Sequence, residues 1–213
     1  MVRKSVFSRE EIIKAGFDLV DQQGLEQLTA RNVAEEIGSS TAPVYSNFQN
    51  MDELELALVD EAVARLMSGT RQGQSGNQFL DIGLGVLDFA WKHPRWYEAL
   101  FLAKTNRPDP GFKIMEALLE FISEMPDLVD LPETERIIVL KKMSIFTHGL
   151  ATEICLGHGS AHSAEEWNIL LNEVGDTILR DALTRKPRQQ DELNLLGSLC
   201  HWDNPTNLEK EED

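Results

Sequence analysis

Apolar residues in this chain recur every three or four positions, and nowhere do they alternate in and out between turn signals over a run long enough for a strand. Side chains at i, i+3 and i+4 share one wall of a helix. The expected fold class is therefore all-α. With 213 residues and 42% hydrophobic content, the chain can bury a sizeable core.

The helix boundaries are punctuated. Ser8 with Glu11 three residues on reads as a capping box, Phe7 and Ile12 as a staple, and Gly24 as the stop of a helix carrying Ile12, Ile13, Phe17, Leu19 and Val20. Thr29 caps a second helix, with Leu28 and Val33 as a staple, and Val33, Ala34 and Ile37 face inward before Gly38. Pro43 then falls where a third helix should already be running. A proline inside a helix costs about 3 kcal/mol, but in the first turn there is no hydrogen bond to lose. With Ser40 or Thr41 as cap, Pro43 starts a helix barely two turns long. Val44 and Phe48 pack inward, leaving Thr41, Ala42, Tyr45, Ser46 and Asn47 to face out. Asn50 and Glu53 read as another capping box, opening a fourth helix through Leu54, Leu58 and Ala62 toward Met67.

Beyond the link "SGTRQGQSGN" the scale changes, with helical stretches expected at about 77–92, 94–104, 110–125, 133–157 and 164–185. The expected organisation is a helix-turn-helix head over residues 1–50, a connecting helix and linker over 51–75, a larger helical domain over 76–186 and a tail over 187–213. The tail segment "LNLLGSLCHW" has room for a short helix.

Helix, glycine turn and short helix is the arrangement whose second helix enters the major groove of DNA. Periodicity alone also allows an inert three-helix scaffold. Net charge is −16, and residues 1–50 carry five Lys/Arg against seven Asp/Glu, so −14 falls on the rest. This excludes a chain-wide basic surface. Cys155 and Cys200 show no CxxC spacing, no apolar leader follows the first basic residues, and no long apolar segment occurs. A cytoplasmic protein without membrane association is expected. Nucleophile elbow, phosphate loop, HExxH and paired-carboxylate signatures are missing, so no enzyme is expected.

The runs "GLEQLTARNVAEEIG" (24–38), "STAPVYSNF" (40–48) and "NMDEL" (50–54) resemble the TetR/AcrR family of bacterial transcription regulators. The likeness covers about the first sixty residues, with a weaker "FTHGLA" segment at 146–151. It implies a homodimer whose heads bind a near-palindromic double-stranded DNA operator, released when a small-molecule effector enters the larger ligand-binding and dimerisation domain. Carried over by position, Thr29 and Arg31 are phosphate contacts, and Ser40, Thr41 and Tyr45 are phosphate or groove contacts. Ala42, Pro43, Ser46 and Asn47 are placed for base edges, and Arg3 and Lys4 form an arm. Many members have a basic residue at the positions of Thr41 and Met51, and a larger residue at that of Asn47. With only Arg3, Lys4 and Arg31 on DNA, a dimer neutralises about six phosphates, and log K should fall with log salt at a slope of about −5.

For the effector, Trp91, Trp96, Tyr97, Phe101, Met115, Phe121, Met143, Phe146 and His148 are candidate pocket residues, and each reads more simply as plain core. Trp96 and Tyr97 are adjacent and point about 100° apart, so at most one is expected in the deepest core. The final two long helices carry apolar residues, Ile138, Ile145 and Ala151 on one and Leu170, Val174, Ile178 and Leu179 on the other. The resemblance assigns such helices to a dimer interface, although periodicity does not separate interface from core. Cys155, His158 and His162 have a metal-like spacing with no fourth ligand. No metal and no cofactor are expected. The reading is a ligand-responsive repressor; its alternative is a helical small-molecule binding protein with weak or lost DNA binding.

Overall fold

The computed structural model describes residues 7–71, 73, 75–103, 110–157, 163–186, 188, 189 and 192, and among these there is no strand. Arg3, Lys4, His158, His162 and the segment 193–202 lie outside the described residues.

Helix α1 (Arg9–Gln23) opens on the expected box: Ser8 N–H donates to the Glu11 carboxylate at 2.7 Å and Glu11 N–H to Ser8 Oγ at 3.2 Å. A single 3₁₀ turn, Leu25–Gln27, leads to α2 (Ala30–Glu36), where Thr29 Oγ1 accepts from Asn32 N–H at 3.1 Å. The turn after α2 is a Schellman motif. Ser39 N–H donates to Ala34 O at 2.8 Å and Gly38 N–H to Glu35 O at 3.0 Å, with Gly38 at φ +63°. Open space surrounds the position a Gly38 Cβ would take, so backbone conformation alone selects glycine here.

Helix α3 (Ala42–Asn47) follows with Thr41 as cap and Pro43 in its first turn. Val44 and Phe48 are buried. Helix α4 (Met51–Thr70) is capped by Asn50, whose Oδ1 accepts from Glu53 N–H at 2.8 Å. The reciprocal half of the expected box is different. The Glu53 carboxylate passes over Asn50 and accepts from Gln49 N–H at 2.8 Å and from Arg9 at 2.9 Å, because a cation from α1 stands there. The helix also runs on through Thr70, absorbing the first residues of the expected link.

The body contains α5 (Gln78–Lys92), α6 (Pro94–Tyr97) continuing into a π-turn over Glu98–Leu102, α7 (Gly111–Ser123), α8 (Glu133–Cys155) and α9 (Ala164–Thr184). Helix α4 is shared between head and body. Its first half contributes Leu54 and Leu58 to the head, and its last turn crosses α5 so closely that a Cβ on Gly85 would lie 2.4 Å from Thr70 N. One apolar cluster runs unbroken from Ile12 in the head to Ala182 in α9.

Trp96 and Tyr97 are both in that core, at 0% and 2% exposure, which corrects the expectation that only one could be. The reason is that α6 is sandwiched. Trp96 stacks on Phe17 of α1 with centroids 5.0 Å apart, while Tyr97 turns toward α8 and meets His148. Adjacent side chains about 100° apart thus find two different apolar neighbours.

Candidate functional site: the exposed face of the head and a pocket in the body

The outward surface of the head is built by α3 and the start of α2. Thr29, Arg31, Ser40, Thr41, Ala42, Tyr45 and Ser46 are exposed, whereas Pro43 and Asn47 are half-buried. Tyr45 stands out at 56% exposure, a large aromatic that the core does not use. Asn47 is held differently from its neighbours. Its Nδ2 donates to Pro43 O at 2.9 Å and to Phe7 O at 3.3 Å, tying the end of α3 to the residue ahead of α1. Ser46 Oγ donates to the same Pro43 carbonyl at 2.9 Å. Thr29 is occupied in capping α2.

Sequence reasoning passed over Arg9, which fixes the placement of α3. Its guanidinium donates to Asn47 O at 2.9 Å and to Glu53 at 2.9 Å and lies 4.1 Å over the Phe48 ring. One cation thereby joins α1, α3 and α4. The Gln49 N–H first, and then Arg9, hold the Glu53 carboxyl below its usual range.

In the body, α4 to α8 line a pocket of about 330 Å³ that opens to the surface beside the exposed Ile145 and His148. Leu66 comes from α4; Ile82, Gly83 and Val86 from α5; Tyr97 and Phe101 from α6 and its π-turn; Gly111, Ile114, Met115 and Leu118 from α7; Ser144, Ile145, Thr147 and His148 from α8. The volume sits at the lower end for small-molecule sites. The π-turn closes with Ala103 N–H donating to Glu98 O at 2.9 Å, and the ring centroids of Tyr97 and Phe101 lie 4.7 Å apart. Tyr97 Oη and His148 Nδ1 are 2.7 Å apart. Burial lowers the His148 pKa, favouring the neutral ring, and burial first and then Cys155 raise that of Tyr97.

Of the nine candidate pocket residues, Tyr97, Phe101, Met115 and His148 line this cavity; the other five do not. Trp96 faces the head, its Nε1–H donating to Phe17 O at 3.1 Å. Trp91 is 52% exposed and borders a separate, smaller pocket with Trp167 and Ile154. Met143 is buried near Gly175 of α9, Phe121 lies under the Arg71 guanidinium, and Phe146 packs against the core from outside the cavity. The polar residues Ser144 and Thr147 were missed. Their signal was available: Ser144, Thr147 and His148 share one face of α8 at spacing 3 and 4, flanked by apolar residues.

The two long helices also separate core from surface. Ile138 and Ala151 are buried within the chain, so neither is open to a partner, while Ile145 on α8 is 63% exposed. On α9, Leu170 is exposed and Val174, Ile178 and Leu179 are half-buried. Ile169 and Leu183, both unremarked in the sequence, are exposed there.

Residues 12–58, covering the whole helix-turn-helix and the first turns of α4, match the model of bacterial regulatory proteins of the tetR family. Over these residues the chain is similar to that family. The transcriptional repressor AcnR of Corynebacterium efficiens is 28% identical over 110 residues, a stretch covering 52% of this chain and 56% of that protein. The match thus spans little more than half the length of that relative.

Solved tetR-family structures extend the likeness to the body. A TetR from Streptomyces coelicolor aligns with a TM-score of 0.62 at 21% identity, covering 84% of this chain and 100% of the other. A TetR variant from Acinetobacter baumannii, solved in complex with minocycline, aligns with a TM-score of 0.55 at 17% identity, covering 82% and 95%. At such identities the agreement is one of fold. Among the described residues, no helix is long and apolar enough to cross a membrane and no group of three His, Cys, Asp or Glu could hold a metal ion.

Proposed function

We propose that this chain is a ligand-responsive DNA-binding repressor of the tetR family. It acts by binding and not by catalysis, as a homodimer whose paired heads read a palindromic double-stranded operator and leave it when a small molecule occupies the cavity. The observation that carries this reading is the position of α6. Of two adjacent residues, Trp96 grips α1 of the head and Tyr97 walls the cavity. A molecule that shifts Tyr97 therefore moves the contact on which the head is seated. Leu66 offers a second route, because it brings α4 to the same cavity. The exposed apolar residues Ile145 on α8 and Ile169, Leu170 and Leu183 on α9 support pairing of two chains through these helices.

Within the head, Tyr45, Ser40, Thr41, Ala42 and Arg31 are the proposed DNA contacts, with Arg3 and Lys4 as the arm ahead of it. Pro43 and Ser46 are placed with them, and Thr29 serves first as a cap. Base reading by Asn47 requires that it give up bonds to Phe7 and Pro43, so its proposed part is to hold α3 in place.

The test is selection of bound duplexes from a random pool at low salt, with Tyr45→Ala alongside. Tyr45→Ala is a cleaner control than a change at Asn47, which would disturb the head itself. A two-fold symmetric site with half-sites about 10 base pairs apart or a multiple of that, lost in the control, supports the reading. Absence of enrichment, together with retained small-molecule binding, favours a helical binding protein that no longer works on DNA.

A further inference from the structure

Once α3 lies in a major groove, its exposed side chains decide which base edges the head tells apart. Two hydrogens sit on the Asn47 amide nitrogen, and two carbonyls, Pro43 O at 2.9 Å and Phe7 O at 3.3 Å, accept from it. Bidentate pairing with adenine takes one amide N–H to N7 and the amide oxygen to N6–H, so Asn47 would lose at least one of these bonds. Ser46 has a single hydroxyl hydrogen, which goes to Pro43 O at 2.9 Å and leaves Oγ an acceptor. Pro43 has no N–H to offer. The polar groups in the second half of α3 thus use their hydrogens within the head.

Outward, α3 presents apolar surface. Ala42, its first residue, is exposed, and Tyr45 and Ser46, three and four positions on, share its face of the helix. The Tyr45 side chain is 56% exposed and has no place in the core. The N-terminal residues of a groove-bound helix are the ones that reach base edges. In the major groove the apolar group that a base pair offers is the C5 methyl of thymine. An alanine methyl beside an aromatic ring matches it.

We infer that the head reads each operator half-site through a thymine methyl group seated against Ala42 and the Tyr45 ring, while Asn47 holds α3 in place. This rests on the reading of the head as a DNA binder. Burying one methyl against apolar surface contributes about fourfold in affinity, so a two-fold symmetric site with one in each half gains roughly tenfold.

The full chain is titrated onto the duplex recovered by selection from a random pool at low salt. Matched duplexes carry deoxyuridine in place of each symmetric pair of half-site thymines in turn, which keeps base pairing and removes only the methyl. Others carry 7-deazaadenine, which removes N7, at each pair of adenines. Deoxyuridine at one pair is expected to weaken binding roughly tenfold. A bidentate amide pair would instead show as a loss of about fivefold or more with 7-deazaadenine, and less than about twofold is expected. In Ala42→Gly the deoxyuridine effect should shrink to less than about twofold, because any loosening of α3 by glycine acts on both duplexes alike and cancels. Ala42→Ser, with a smaller loss of helix propensity, should shrink it as well. A selected half-site without thymine, indifference to every deoxyuridine, a larger loss with 7-deazaadenine, or a full deoxyuridine effect in both Ala42 variants overturns the inference while selective DNA binding stands. Recovery of no preferred duplex removes the reading of the head as a DNA binder and the inference with it.

Discussion

The indole N–H of Trp96 donates to the carbonyl oxygen of Phe17 at 3.1 Å, with the two rings stacked 16° from parallel. On its other face Phe17 receives the Arg65 guanidinium of α4, 3.7 Å from the ring centroid. A head residue is thus held between two elements that both reach the cavity wall. Trp96→Phe removes the hydrogen bond and part of a fully buried ring, at an expected cost of at least about 1 kcal/mol. Amide hydrogen exchange is expected to rise in α1 around Phe17 and to stay unchanged in α8. A uniform rise across both helices would contradict a local joint.

Gly85 and Gly69 set the closest approach of α4 and α5. Because the obstructing atoms at Gly85 are backbone, at 2.4 Å and 2.5 Å, neither helix can yield by turning a side chain. Gly85→Ala is expected to cost at least the roughly 1–3 kcal/mol typical of overpacking. At Gly83 the obstruction is the Leu171 side chain at 2.9 Å, which can rotate, so Gly83→Ala should cost less. Urea unfolding of the two variants gives the ranking, and equal losses would contradict it.

His148 has a pKa lowered by burial, so the unfolded chain takes up its proton first as pH falls. The neutral ring's contribution is present above the unfolded value of about 6.5 and is lost as pH falls through the folded value. The thermal midpoint of the parent should therefore drop more between about pH 7 and about pH 5 than that of His148→Asn. Parallel curves would contradict a neutral ring favoured by the fold.

Much of the head was legible because its signals are local. Ser8 with Glu11, Thr29, Gly38 and Pro43 each act within four residues, and each stands where its backbone role demands. What the sequence hid was set by packing between distant segments. Glu53 left its expected cap because Arg9, 44 residues earlier, offered a stronger partner. The bond from the Asn47 amide to the Phe7 carbonyl, 40 residues away, was not visible in the sequence either. In the body, an apolar residue reads the same whether it faces a cavity or a neighbouring helix. Met115 lines the cavity and Met143 is packed in the core, a distinction made only by which helix lies opposite.

The central claim is sequence-selective DNA binding by the head, and equilibrium titration of the full chain onto a selected duplex over a range of salt tests it most directly. Tyr45→Ala belongs beside it, since this exposed side chain should change stability by less than about 0.5 kcal/mol. The account expects two chains per duplex, log K falling with log salt at a slope of about −5, and at least about tenfold weaker binding by Tyr45→Ala. A slope steeper than about −9, or equal binding of the parent and Tyr45→Ala to selected and scrambled duplexes, would contradict it.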